Sequence, residues 1–363
     1  MHKSEIICTD RQNYNAVDLA KFICSILVVI IHVTPFAGAA PGSAMAQMNY
    51  LIKHCLAKTA VPFFFVMSGF FLYRKTQLSD FDGVAVREYI HRMLRLYVAW
   101  TVIYFPIALC GFFRDEKGIA SAAVHYIRDF FFVGYGQLWY LLALIVAVVM
   151  VSFLLQKNVK PEKILLLGGI LYICGLFAQS WFGLIVPLRE RMPVLWFALK
   201  QLKKVMVTSR NGVFEGFLFV AMGMYLAYFG TRLTAPKALA GFLVALALMS
   251  LEQTILCAMQ FTREEAMFLF LVPAVFFLCA FVLQVQLPDH PVYRKLRTLS
   301  TLIFFLHMWV KEIVFALLKL LWAPLIETWL PFALTLLLSI LVSEIIIVVS
   351  QRPKCAWVKR LYC

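Results

Sequence analysis

Long apolar runs recur from one end of this chain to the other, and they decide what it can become. Crossing the ~30 Å hydrocarbon core of a bilayer takes roughly 20 mostly apolar residues in a helix. Segments of about that length fall at 16–37, 54–73, 89–113, 137–156, 163–186, 212–230, 237–257, 266–287, 299–322 and 329–350. Of the 363 residues, 63% are hydrophobic and 15% charged, an apolar share well above that of a soluble domain. No alternating ten-residue pattern points to a membrane β-barrel. The expectation is an all-α, polytopic membrane bundle of about ten transmembrane helices. It divides into a cytoplasmic segment 1–15, a transmembrane domain 16–350 and a basic cytoplasmic tail 351–363.

The formal charge of +15 fits this picture, because cytoplasmic loops of membrane proteins collect Lys and Arg. With the N-terminus inside, both ends are cytoplasmic, and the inner loops and tails hold nineteen Lys and Arg against eleven outside. Six of those eleven sit in the single loop 187–211: Arg189, Arg191, Lys200, Lys203, Lys204 and Arg210. Either this loop is functional or the fifth span ends elsewhere. Phe197 to Val207 reads as an amphipathic helix lying on the membrane surface. No compact basic domain suggests nucleic acid as a partner, and an anionic substrate is a better use for the excess charge. The nine cysteines are scattered singly, without a CxxC pair, and read as free thiols. No Cys/His cluster has zinc-ligand spacing, so no metal site is expected. Phe22–Ile31 followed by Ala37-Gly38-Ala39 looks like a signal peptide with its cleavage site. His32 at its far end and the further spans behind it argue for a retained first span.

Ionisable residues inside such spans are costly and often mark sites. Lys21 and His32 are eleven residues apart, which on an ideal helix is about 20° past three full turns and about 16 Å along the axis. They share one face, with Asp18 near it. An imidazole at that depth suits general-base chemistry near neutral pH, or serves as a buried, hydrogen-bonded structural group. Lys21 reads as a snorkelling partner of Asp18 or as a cation for a phosphate-bearing ligand. Arg92 and Arg95 stand three apart on one face of the third span, as positive-inside anchors or as phosphate forks. Ser68 and Gly69 put a small polar pair inside an aromatic span, suited to close helix packing or to a ligand hydrogen bond. Asn211 and Glu215 open the sixth span, as caps or as an acceptor-recognition site. Glu252 and His307 lie mid-span, with Lys311 one turn beyond His307, and Glu344 is a weaker case.

Taken in order, these segments resemble acyltransferase family 3, the integral-membrane O-acyltransferases. Lys21-x10-His32 is similar to the family's first-helix Arg/Lys-x10-His motif, and Pro62 to Phe70 resembles its second-span signature. Arg92-x-x-Arg95 is similar to its third-helix Arg-x-x-Arg, and Leu138-Trp139-Tyr140-Leu141 to its Leu-Trp-Phe-Leu. Phe305-Leu306-His307 sits where many members carry a Tyr-Leu-x-His-like segment. Lys21 departs from the more common Arg, keeping the charge but losing bidentate geometry. The resemblance implies transfer of an acyl group, usually acetyl, from cytosolic acyl-CoA to a hydroxyl of a cell-envelope glycan or similar acceptor at a bacterial cytoplasmic membrane. Acyl-CoA is then a donor substrate, and no permanently bound cofactor is implied. It further implies His32 as the catalytic histidine and Lys21, Arg92 and Arg95 as acyl-CoA contacts. Ser68, Trp139, Asn211, Glu215, Glu252 and His307 are expected in substrate-binding or supporting roles. Arg210-Asn211-Gly212 with Phe214 and Gly223 also resembles the membrane part of vancomycin-resistance serine racemases, here expected without the fused racemase domain. That keeps open a second reading, a transporter of a small polar solute such as an amino acid (L-serine).

Overall fold

The computed structural model describes residues 13–76, 81, 83–114, 118–206 and 208–363. The expected segment 1–15 therefore lies mostly outside the described residues. Each of the ten apolar runs is occupied by a helix: α1 (Asn15–His32), α2 (Ala60–Tyr73), α3 (Gly83–Arg114), α4 (Trp139–Gln156), α5 (Pro161–Leu176), α6 (Phe217–Phe229), α7 (Ala235–Ala258), α8 (Leu271–Gln284), α9 (Pro291–Leu321) and α10 (Leu330–Ser350). No strand occurs among the described residues. Among the described residues, eight helical stretches are long and apolar enough to cross a bilayer, and α8 is a shorter apolar helix. The chain is a multi-pass membrane protein. Its outward side chains, among them Val102, Leu166, Leu320 and Leu337, form the lipid-facing surface such a bundle requires.

Several boundaries differ from the sequence reading. The fifth span stops at Leu176 and gives way to turns, although apolar residues continue to Ile185. α9 begins at Pro291, well before its apolar stretch, because His290 caps it by accepting from Val292 N (3.2 Å) and Pro291 suits the first helical position. The second span starts early: a helix at Ala44–Tyr50, a π turn at Leu51–Cys55 and a 3-10 turn at Leu56–Thr59 run directly into α2. Further π turns at Asp129–Val133 and Gly212–Gly216 precede α4 and α6. All three lie at the end of the bundle opposite the tail. The amphipathic stretch near 197–207 is a helix, Pro193–Met206.

Two packing contacts organise the centre. α2 and α6 approach closely at two glycines. A methyl on Gly69 would sit 2.5 Å from the Val220 carbonyl oxygen, and one on Gly223 would collide with the Val66 carbonyl. Such close approach is how membrane helices gain packing where lipid offers no hydrophobic drive. α1 packs along α9 through Val29, Leu299 and Ile303. Ser300 Oγ donates to Lys21 O (3.1 Å), and Arg297 lies 3.8 Å from Asp18. α10 lies outside α9, with Lys295 paired to Glu344 at 2.7 Å, so Glu344 belongs to an inter-helix ion pair. The tail, wound as a 3-10 turn over Pro353–Leu361, folds back beneath α3, where Trp100 Nε1 donates to Leu361 O (2.8 Å).

Gly69→Ala and Gly223→Ala should each cost stability by overpacking, about 1–3 kcal/mol. The unfolding temperature of the detergent-solubilised protein reads this, and an unchanged midpoint in both variants would contradict the described α2–α6 contact.

Candidate functional site

The packing of α1 on α9 brings two imidazoles together. α1 ends at His32, after which Val33 is extended (φ −134°). The His32 ring lies 5.2 Å from the His307 ring, centroid to centroid, at 41° between planes. His307 is fully buried in the middle of α9, and its Nδ1 bonds the Ile303 carbonyl oxygen at 2.9 Å. A carbonyl only accepts, so Nδ1 carries the proton and the neutral ring keeps its lone pair on Nε2. That Nε2 is buried with no hydrogen-bond partner among the described residues. The half-buried His32 has Lys311, Arg210 and Lys53 as cationic electrostatic neighbours. Lys53 Nζ donates to Thr34 Oγ1 (2.7 Å), two residues past His32.

Lys21 lies toward the other end of α1, with Nζ 4.7 Å over the Phe71 ring. Arg92 is among its electrostatic neighbours, and the Arg92 guanidinium rests 5.3 Å over Tyr89. The structure thus places Lys21 and Arg92 at one mouth. Arg95 is exposed and turned toward the tail, 3.5 Å from Cys363 O. The same end holds a cavity of about 310 Å³ lined by Tyr14, Phe70, Arg74, Thr231 and Gln284.

A column of hydroxyls and rings connects this mouth to the imidazoles. Tyr89 is an electrostatic neighbour of Tyr140, and Ser68 Oγ shares a 3.1 Å hydrogen bond with Tyr140 OH. The Tyr140 ring lies 5.6 Å from Phe304, and Phe304 lies 6.5 Å from His307. Sequence reasoning singled out Ser68 but missed Tyr89 and Tyr140. For Tyr140 the signal was a phenol inside an otherwise apolar span; Tyr89 stands among Arg87, Glu88, His91 and Arg92, where no such signal exists.

Opposite the tail, Trp139 and Asn211 line one cleft of about 270 Å³ with Phe131, Phe132, Thr208 and Arg210. Asn211 caps the π turn, its Oδ1 accepting from Val213 N (2.9 Å) and Phe214 N (3.1 Å). The Arg210 guanidinium lies 4.7 Å over the Trp139 ring. Glu215 is buried in the first turn, and its Oε2 has no partner among the described residues; Arg210 and Lys58 are its charged neighbours. Close by, Glu265 accepts from Gln253 Nε2 (3.1 Å) and bonds His54 Nδ1 (2.9 Å), while Lys58 donates to its backbone carbonyl.

Glu252 stands apart from both imidazoles. Its carboxylate accepts from Trp181 Nε1 (2.9 Å), Leu269 N (2.9 Å) and Phe270 N (3.0 Å). The last two are amides at the start of α8, which have no acceptor inside the helix. Here Glu252 pins a helix end.

Comparison with known proteins places this geometry in context. A family model described as an acyltransferase domain matches residues 14–348. An amino-acid racemase of Enterococcus faecalis is 26% identical over 348 residues, covering 93% of this chain and 46% of that protein. A second amino-acid racemase of the same organism is 30% identical over 222 residues, covering 60% of this chain and 29% of that protein. A serine/alanine racemase of Enterococcus gallinarum is 27% identical over 297 residues, covering 80% and 40%. The chain therefore spans less than half the length of these curated relatives. No solved structure matches it.

Glu252→Ala should destabilise the fold by about 2–3 kcal/mol, since it strands two half-buried amides and an indole N–H. Glu252→Gln, which keeps an acceptor oxygen, should lose less. Equal melting temperatures for Glu252→Ala and the parent protein would remove the anchoring role.

Proposed function

This chain belongs to acyltransferase family 3, and from that premise we propose that it moves an acyl group, acetyl by family precedent, from cytosolic acyl-CoA to a hydroxyl of a cell-envelope glycan or similar acceptor. The observation that carries this reading is the pairing of His32 with His307 on the same bundle that holds Lys21 and Arg92 at its other end. The Lys and Arg bias assigns the tail end to the cytoplasm, here of a bacterial cytoplasmic membrane. Lys21, Arg92 and Arg95 would bind the CoA phosphates, for which guanidinium forks are suited. The acyl-pantetheine arm would then extend past Tyr89, Ser68 and Tyr140, whose hydroxyls offer hydrogen bonds to its amides within an apolar wall. At the imidazoles, His32 takes the proton of the acceptor hydroxyl. The hydroxyl oxygen attacks the thioester carbonyl, the C–S bond breaks, and the CoA sulfur leaves with the proton returned from His32. His307, its Nδ1 bonded to Ile303 O, presents the Nε2 lone pair beside the neighbouring ring, toward the proton in transit.

A second reading, passage of a small polar solute across the membrane, draws on the relatives' names and on fully buried polar side chains without partners. Gln179 and Ser180 are two such groups among the described residues. Slow acyl-CoA hydrolysis or exchange by the purified protein without acceptor favours the enzyme, and its absence together with solute uptake by proteoliposomes favours the transporter.

His32→Ala should lower transfer by about 10²–10⁴-fold, the usual range for a lost general base, while leaving CoA binding near the parent value. Near-normal turnover in that variant would reject the catalytic assignment. Arg92→Ala combined with Arg95→Ala should weaken CoA binding about tenfold or more, as expected for lost charge-assisted hydrogen bonds. Unchanged CoA affinity would remove these arginines from the donor site.

A further inference from the structure

The loop 187–211 carries an excess of cations on the side of the membrane where they are least expected, and the donor site does not use them. Arg210, at the end of that loop, is exposed, and no acceptor or ion-pair partner for its guanidinium occurs among the described residues. Its guanidinium rests over the Trp139 ring, 4.7 Å away, an arrangement that holds the planar group in place. It lines the 270 Å³ cleft together with Phe131, Phe132 and Thr208. It is also one of the charged neighbours of His32, with Lys53 and Lys311. The cleft and His32, at the end of α1, therefore lie toward the same end of the bundle, opposite the tail.

The surrounding charges favour an anion without saturating the site. Lys53 is engaged by a neutral hydroxyl, Thr34. Lys311 faces Glu312 at 3.4 Å. Of the nearby acids, Glu264 accepts from Thr208 Oγ1 (3.3 Å), and Glu215, buried beneath the π turn, shares Arg210 and Lys58 as charged neighbours without forming an ion pair with Arg210 among the described residues. A second pointer is the buried, partnerless His307 Nε2 beside His32, an acceptor that only an incoming donor such as a hydroxyl or a protonated ring would satisfy.

We propose that the cleft beneath Arg210 and Trp139 is the acceptor subsite, and that it selects a sugar-like hydroxyl compound bearing an anionic group, carboxylate or phosphate, near the hydroxyl to be acylated. The anion pairs with the Arg210 guanidinium, the apolar ring faces of Phe131 and Phe132 cover the body of the acceptor, and the hydroxyl reaches toward His32. This rests on the acyl-transfer reading for its chemistry, but the anion site itself is independent of it.

The test compares three acceptors of similar size: methyl glucuronide, glucose 1-phosphate and the neutral methyl glucoside. Acetyl transfer from labelled acetyl-CoA is measured in proteoliposomes, and the melting temperature of the purified full chain is measured with each sugar. The parent protein should favour one or both anionic sugars by about tenfold or more in kcat/KM, the size of a charge-assisted contact. The glucuronide and phosphate arms show which anion is preferred. Arg210→Gln should bring the anionic-to-neutral ratio close to one, and Arg210→Lys should retain part of it. No preference in the parent, or a preference kept in Arg210→Gln, overturns the proposal. If no sugar is acylated, the acyl-transfer reading fails for these acceptors and the melting data decide: stabilisation by an anionic sugar that Arg210→Gln removes sustains the subsite, and its absence overturns it.

Discussion

The contact between α1 and α9 is the constraint on which the site depends. Val29, Leu299 and Ile303 set the two helices side by side, and Ser300 ties α9 to the backbone at Lys21. With that register fixed, the end of α1 must fall beside the middle of α9, and His32 meets His307. The same register leaves Lys21 at the other mouth, where Arg92 contributes to its field. One apolar seam thus determines both the imidazole pair and its distance from the cations. Burial of His307 then follows, and the Ile303 carbonyl fixes which ring nitrogen holds its proton.

The positions of the spans were legible because run length and hydropathy are local quantities, and a bilayer imposes one length on every crossing segment. The shared face of Lys21 and His32 was legible for the same reason, since helical periodicity alone fixes it. The pairing of His32 with His307 was not, because it is set by which helices pack together. The fifth span was overdrawn because apolar residues continue past Leu176, whereas the helix ends in a turn whose polar groups, Gln179 and Ser180, are buried. Hydropathy does not distinguish a spanning residue from one folded under a loop.

Glu252 shows how a half-buried charge can be structural. Sequence marks an acid in mid-span as unusual, but the two backbone amides that make it affordable belong to a helix start many residues later. Glu215 has the contrary character: it sits where a helix dipole welcomes an acid, yet one of its oxygens remains without a partner among the described residues. Two carboxylates of similar appearance in the sequence therefore differ in what the fold has already done with them.

The wide π winding at Gly212–Gly216 has a steric consequence for Arg210. Each residue of an α-helix turns the chain by about 100°, so a turn that accommodates one extra residue rephases everything ahead of it relative to the span behind. Rewound as a regular α-helix, the segment would swing Arg210 about a quarter of a revolution off the Trp139 indole. The orientation of this guanidinium is thus indexed by the length of a single loop of backbone, and a one-residue deletion there would re-aim it while leaving Arg210 and Trp139 themselves chemically intact.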